Sequence, residues 1–411
     1  MYNKRKIIND PVHGFISIPC ELHYDIIQHP YFQRLNRVKQ LGLSYMVYPG
    51  AQHTRFQHSL GAMHLMTEAI SQLRSKGNEI TEEESNAVLA AILMHDLGHA
   101  PFSHVLEDTL VTGVSHEEIS MMMMERINKD LNGQLDMALE IFQNNYKKKF
   151  LHQLVSSQLD MDRLDYLIRD SFFTGVVEGS VGAARIIKML NVHDDHLVVE
   201  AKGVYSIEKF LVARRMMYWQ VYLHKTSVSA EQLLIKILNR AKELMMGGME
   251  LFASPQLKLF LSNNISKEDF KNDEKIMESY ALFDDSDIMS AMKVWSNCSD
   301  KVLSFLCHNM LWRRLFKVEV RQEKVQESEL DAYLKRYSEK LGITKEEAKY
   351  LLAVHPVSAY TYKSKSDSIK VLYSAQELKD ITEASDLLDI SLMSKHEQKY
   401  YFCYMKDCDL E

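Results

Sequence analysis

Proline and glycine are scarce, with 7 and 15 among 411 residues, where average usage gives roughly 21 and 29. So few breakers exclude collagen-like and low-complexity disordered chains and favour helix. Long apolar runs are also missing. The longest, Ala87 to Met94, falls far short of the ~20 residues needed to cross a bilayer. No apolar core follows the cluster Lys4-Arg5-Lys6 to make a secretory signal. A soluble, cytoplasmic chain with no membrane partner is expected. Cysteine is sparse and odd in number (Cys20, Cys298, Cys307, Cys403, Cys408), with no C-x-x-C pair, which argues against a disulfide framework or a thiolate zinc site. A net charge of −7 provides no global basic field, so long nucleic acid is not an expected partner.

Histidine is present in quantity, and ten of the 17 lie between His13 and His116. Imidazole is the commonest metal ligand and a proton shuttle near neutral pH, so the chemistry is expected there. Asp10-Pro11-Val12-His13-Gly14 reads as the turn of a hairpin over Ile7–Ile18. Helical spacing predicts helices over Tyr31–Leu41 (closed by Gly42), His116–Ile127, Gln134–Gln143, Phe150–Ser171, Gly182–Leu190, Ser206–Leu223 and Ala230–Met246. The capping box Thr81-x-x-Glu84 opens another, whose stripe Val88, Ala91, Ile92 continues to His95. Beyond about residue 240 the texture changes. Strand-like Leu315–Val320, Ile369–Tyr373 and Tyr400–Met405 alternate with helix-like Glu327–Lys340 and Gln376–Leu388. The expected class is mainly α: a helical core over 1–240 with an N-terminal hairpin arm, and a lobe over 241–411, helical and then α/β.

His95-Asp96 ends a helix that reads as buried, and neighbouring helical residues point about 100° apart, so both can reach one ion beside the helix end. A polar C-terminal cap explains the pair equally well in isolation. Arg55 and His58 share a face of a second helix, whereas His64, about 240° from His58, cannot join it at one metal and reads as a surface or packing histidine. Asp162, Tyr166, Arg169 and Asp170 are expected along one side of a third helix, where a salt-bridged surface helix is the plain alternative.

The text around these residues is more specific: Tyr48-Pro49-Gly50-Ala51-Gln52-His53-Thr54-Arg55-Phe56-Gln57-His58-Ser59-Leu60-Gly61, His95-Asp96-Leu97-Gly98-His99-Ala100-Pro101-Phe102-Ser103-His104, Ser115-His116-Glu117, and Asp162-Arg163-Leu164-Asp165-Tyr166 with Arg169-Asp170. It resembles the deoxynucleoside-triphosphate triphosphohydrolase branch of the HD-domain metallophosphohydrolases. That branch includes bacterial dNTPases and the vertebrate enzyme that joins a sterile-alpha-motif domain to an HD domain. The resemblance implies an HD-domain helical core. It makes His58, His95, Asp96 and Asp162 ligands of a divalent ion, for which Mn²⁺, Fe²⁺, Mg²⁺, Ni²⁺ and Zn²⁺ all suit such a set. It makes His104, Glu107 and His99 the catalytic group, with His116 and Glu117 in support. Gln40, Arg55, Arg163, Tyr166, Asp170, Arg214, Tyr222 and Lys225 become substrate-binding, with Gln40 and Tyr166 facing the sugar. Lys6, Asn9 and Gln33 match positions near the vertebrate enzyme's regulatory nucleotide site, but Gln28 and Asn36 stand where its guanine-reading acid and arginine would be. The implied activity is hydrolysis of dNTPs to deoxynucleoside and triphosphate by a homo-oligomer that takes a nucleotide substrate and a nucleotide effector. The same superfamily leaves open a monophosphate, an alarmone or a cyclic dinucleotide as substrate, and a non-catalytic nucleotide-binding scaffold is the third reading.

Overall fold

The computed structural model describes residues 6–102, 104–107, 109–111, 113–359, 368–374, 377–386 and 397–406, with the backbone alone at 104, 107, 358, 359 and 397. The fold is mainly α, as expected. The arm is the expected hairpin, Ile7–Asp10 paired antiparallel with Gly14–Ser17. Its turn is set by Asp10, whose Oδ1 accepts the N–H groups of Val12 and His13, each at 2.9 Å.

The centre of the molecule is the Arg55–Ser75 helix, packed against Glu82–Met94 on one side and Met161–Thr174 on another. The capping box expected at Thr81 forms, and a second, of Thr54 with Gln57, opens Arg55–Ser75. Glu82–Met94 buries almost its whole circumference, every residue from Ala87 to Met94 included, which explains why its apolar run is the longest in the chain. The tract Met121–Met124 supplies three buried side chains to the same core, the irregular filling that thioethers do well.

Two small sheets complete the fold. Lys317–Arg321, Glu397–Tyr404 and Leu352–Ala359 form an antiparallel sheet with Glu397–Tyr404 in the middle. A hairpin of Leu190–His193 and His196–Glu200 continues, through a parallel pairing of Val198 with Lys370, into the antiparallel strands Lys370–Ser374 and Glu377–Asp380. This second sheet joins chain from both sides of residue 240.

Several elements differ from the periodicity. The expected helix Phe150–Ser171 is two, Lys149–Val155 and Met161–Thr174. The break is Asp160, held in an extended conformation while its carboxylate accepts the N–H groups of Ser157 at 2.8 Å and Arg163 at 2.7 Å. Tyr31–Leu41 is a single α-turn over Pro30–Gln33, a 3₁₀ turn over Arg34–Arg37 and then extended chain, where Lys39 bridges to Thr54. Gly42 begins a 3₁₀ turn rather than ending a helix. Over Gln376–Leu388 the described residues form the strand Glu377–Asp380 and one helical turn, Ile381–Ala384; residues 376, 387 and 388 lie outside the described residues. Pairing with Lys370–Ser374 overrides local helix preference there.

Candidate active site

His58 stands one turn into the Arg55–Ser75 helix and His95 caps the C-terminus of Glu82–Met94. Each ring is aimed by a bond from its Nδ1. His58 donates to Asp165 Oδ2 at 2.8 Å. His95 donates to the carbonyl of Ile92 at 2.6 Å, one of the acceptors a helix end leaves free. Both Nε2 atoms therefore point inward, 3.3 Å apart. Asp162, in the first turn of Met161–Thr174, brings Oδ1 to 3.1 Å from His58 Nε2 and 3.4 Å from His95 Nε2. For metal bonds of about 2.1 Å, ligand atoms at octahedral or tetrahedral angles stand roughly 3.0–3.4 Å apart, so the three donors fit a divalent cation. Asp96 stands alongside, with Oδ1 3.4 Å from His95 Nε2 and Oδ2 3.8 Å from His58 Nε2. It also pairs with Arg55 Nη1 at 2.5 Å and His99 Nε2 at 3.2 Å.

Burial pushes the His58 imidazole down, but its hydrogen bonds to Asp162 and Asp165 prevail and lift it to about 10. The same contest, with Asp96 and Asp162, raises His95. Burial alone would raise Asp162 and Asp96, yet His95 and its neighbours hold both below the usual carboxylate range. Ionised carboxylates thus draw positive charge into the cluster, as protons on the imidazoles or as a cation in their place. His99 goes the other way: burial and then Arg55 lower it to about 3, leaving a neutral ring stacked on His116 with centroids 3.9 Å apart.

A second layer supports the first. Asp165 is fully buried and accepts from His58 by one oxygen, from His13 Nε2 at 2.6 Å by the other, and from Arg169 by both, at 2.9 and 3.0 Å. Arg169 continues to Asp10, at 2.8 and 3.3 Å. Arg169 thus faces the hairpin arm, not the side shared by Asp162, Tyr166 and Asp170 as the helical wheel suggested. Gly61 is required here because a Cβ would stand 2.0 Å from Asp165 Oδ1 and 2.2 Å from Arg169 Nη2. Gly98 is required because a Cβ would meet the His116 carbonyl at 2.1 Å and the Ser120 nitrogen at 2.4 Å.

One cavity of about 660 Å³ opens beside the cluster, within the usual range for a small-molecule site. Of the sequence candidates it gathers Gln40, Arg55, His116, Asp162, Arg163, Tyr166, Asp170, Arg214 and Tyr222 on its walls. Asp170 is held from behind by His53 Nε2 and by the Tyr222 hydroxyl, both at 2.8 Å, and the His53 ring stacks on Phe173. Lys225 and Glu117 are exposed and do not line the cavity. His99 reaches the cluster through Asp96. The side chains of His104 and Glu107 lie outside the described residues. Lys6 and Asn9 belong to the arm and Gln28, Gln33 and Asn36 to the helical turns over Glu21–Arg37, and none of them lines the cavity. His64, half-buried, tilts against His13 with ring centroids 5.3 Å apart.

Beyond the turn at Asp10 and His13, the sequence motifs contain Asp10, His13, His53 and Asp165 without marking them as supports of the site. Arg34, Tyr280 and Asp285, which hold the chain around the cavity, carried no signal.

Comparison with known proteins agrees with this geometry. A family model described as HD domain matches residues 55–170, and one described as HD associated region matches 181–253. The uncharacterized Bacillus subtilis protein YwfO is 32% identical, with 99% of this chain and 94% of that protein covered. A phosphohydrolase crystal structure from Bacteroides thetaiotaomicron superposes with a TM-score of 0.95 at 60% identity, covering 98% of this chain and 100% of that one. The Dictyostelium discoideum deoxynucleoside triphosphate triphosphohydrolase SAMHD1 homolog is 32% identical over 58% of this chain and 50% of its own length, so this chain spans about half of that relative. By its matched domains, its near full-length relatives and its His-His-Asp cluster, the chain belongs to the HD-domain phosphohydrolase superfamily and resembles the dNTP triphosphohydrolase branch.

Proposed function

We propose that this protein hydrolyses deoxynucleoside triphosphates to deoxynucleoside and intact triphosphate, with a divalent cation as cofactor. The observation that carries the reading is the cavity that joins the Asp162 edge of the cluster to Arg55, Arg163 and Arg214. Guanidinium forks suit phosphate oxygens. On the same walls Gln40 Oε1, Arg163 Nε, and Arg214 Nε and Nη1 are buried without a hydrogen-bond partner among the described residues, groups that a polar ligand would satisfy. The activity for which the Dictyostelium relative is named supports the same substrate class.

In this reading His58, His95, Asp96 and Asp162 hold the cation. When bound, Mn²⁺, Fe²⁺, Mg²⁺, Ni²⁺ or Zn²⁺ supplies Lewis-acid polarisation of a phosphoryl oxygen. Arg55, Arg163 and Arg214 hold the phosphates, with Lys225 outside the cavity as a further cation. Asp170 and Tyr222 orient the nucleoside. His104, held by Glu107, protonates the departing 5′ oxygen, a strong base that needs a proton as it leaves. His99, His116 and Glu117 support that group, the neutral His99 ring by fixing Asp96. Residues 1–240 carry the site, 241–411 back it, and the working form is a cytoplasmic homo-oligomer open to a nucleotide effector.

Gln40 and Tyr166 close on C2′ and admit hydrogen but not hydroxyl, because the extra oxygen would need both room and partners in a dry wall. The test incubates metal-loaded protein with each dNTP and rNTP and identifies the phosphate product. Triphosphate from dNTPs, poor use of rNTPs and a relaxed preference in Gln40→Ala are expected. Equal hydrolysis of ATP and dATP, or orthophosphate as first product, refutes the reading and favours a monophosphate, alarmone or cyclic dinucleotide.

A further inference from the structure

The loop that leaves His95 is gripped by its main chain. Arg34, fully buried, donates from Nη1 to the carbonyls of Leu97 at 2.7 Å and His99 at 2.8 Å. Tyr280 donates its hydroxyl to the carbonyl of Gly98 at 2.7 Å, and its ring lies 4.9 Å from the Arg34 guanidinium. Asp285, buried at the start of the Asp285–Trp295 helix, completes the row. Its Oδ1 accepts the N–H of Phe102 and its Oδ2 the N–H of Lys39, each at 3.1 Å. One carboxylate therefore ties together two segments distant in sequence that both reach the cavity wall: Gln40 follows Lys39, and Phe102 lines the cavity itself. The neighbouring Asp284 pairs with Arg37 at 2.7 Å on the first of these segments. Tyr280 and Asp285 lie beyond both matched family regions, which end at residue 253.

We infer that Asp285 is a positioning residue by which the C-terminal lobe sets the spacing of the Gln40 wall and the Phe102 wall, and through them sugar selectivity and turnover. Two convergent N–H donors need two acceptor oxygens, which an ionised carboxylate offers; an amide has one oxygen and turns its NH₂ against the other donor. An apolar or amide side chain at this position thus cannot hold both walls. The enzymatic readouts rest on the proposed function of Gln40 and of the loop before His104. The backbone readout rests on the geometry alone.

Hydrogen–deuterium exchange of the full chain is followed in peptides containing Lys39 and Phe102, in the wild type, Asp285→Asn and Asp285→Glu. Both amides are expected to be protected in the wild type. In Asp285→Asn at least one exchanges about tenfold faster, as for the loss of one buried hydrogen bond, while amides of Glu82–Met94 are unchanged. The carboxylate in Asp285→Glu retains part of the protection. On the enzyme, Asp285→Asn lowers the ratio of kcat/KM for dATP over ATP several-fold and lowers kcat. Tyr280→Phe, which releases the Gly98 carbonyl and leaves Asp285 in place, lowers kcat without moving that ratio. Unprotected Lys39 and Phe102 amides in the wild type, or wild-type protection in Asp285→Asn, overturn the clamp whether or not dNTPs are hydrolysed. Faster exchange with unchanged selectivity and turnover overturns its positioning role. A wild type that releases no triphosphate refutes the proposed function instead, and exchange then decides the clamp by itself.

Discussion

Replacing Asp165 by asparagine sets the support of His58 against its task. In the native protein the His58 Nδ1–H donates to Asp165 Oδ2, which leaves the Nε2 lone pair facing Asp162 and His95. The other oxygen already accepts from His13 and Arg169, so an asparagine that keeps its carbonyl there presents NH₂ to His58. The imidazole must then accept at Nδ1 and carry its proton on Nε2, the atom proposed to bind the cation. Outer partners of a metal-ligating imidazole are typically worth 10–100-fold in affinity, about 1.4–2.8 kcal/mol. The variant also loses one charge of a fully buried network, where removing one partner costs about 3–5 kcal/mol. Asp10 still faces Arg169 at 2.8 Å, and the amide keeps one acceptor, so about 2–3 kcal/mol of destabilisation is expected.

The pH dependence carries a sign. Burial would raise Asp165, but Arg169, His13 and His58 hold it well below the usual carboxylate range. A depressed carboxyl contributes stability above its unfolded value of about 3.9 and loses it as pH falls through the folded value. The stability gap between wild type and variant is therefore full at pH 7 and shrinks under acid. Calorimetric titration with Mn²⁺ gives the affinity, and urea denaturation at pH 7 and at about pH 3 or below gives the gap on both sides of the unfolded value. A metal Kd within about threefold of wild type would falsify the tautomer argument, and an equal urea midpoint at pH 7 would remove Asp165 from the stability account.

Gly61→Ala forces a methyl into the Asp165–Arg169 pair, and a loss of about 2–3 kcal/mol is expected in urea denaturation; a change below about 0.5 kcal/mol would show that the pair can give way. Asp285 is raised to about 6 by burial, against the Lys39 and Phe102 amides that favour its charge. From an unfolded value of about 3.9, keeping it ionised at pH 7 costs about 3 kcal/mol, a cost that appears as pH rises through 4 to 6. Asp285→Asn removes that cost but leaves one of the two buried amides without its acceptor, about 1–3 kcal/mol, so its stability relative to wild type is expected to be higher at pH 7 than at pH 4, and urea midpoints that differ from wild type by the same amount at both pH values count against it. His104→Ala is expected to lower turnover by about 10²–10⁴ with metal content kept; wild-type turnover, or lost metal by elemental analysis, would take the general-acid role from it.

The fold was legible where a local device fixed it. The capping box at Thr81, the Asp10 turn and the breaker-poor composition all act within a few residues, and each marks its element in place. It was illegible where partners are remote. The hairpin Leu190–Glu200 turns at Asp194-Asp195, both at positive φ, and its four- and five-residue strands, just past the helix read over Gly182–Leu190, are too short to carry a pattern of their own. The strand Leu352–Ala359 is fixed by its register with Glu397–Tyr404 and by little of its own.

The candidate site shows the same division at the scale of single atoms. His58, His95 and Asp162 sit at or near helix ends, where exposed backbone carbonyls and capped first turns fix side-chain direction. Their motif is therefore local and dense, and readable. Asp165 and His53 lie inside that text but act from behind, so their roles emerge only when the helix Met161–Thr174 is set against the arm and the His53 loop. Arg34, Tyr280 and Asp285 act on backbone atoms of Leu97, Gly98, His99, Phe102 and Lys39. A carbonyl or an amide is present at nearly every position, so the partner's identity leaves no trace. What selects Asp285 is the convergence of two amides some 60 residues apart in sequence on one buried point, a property of tertiary geometry alone.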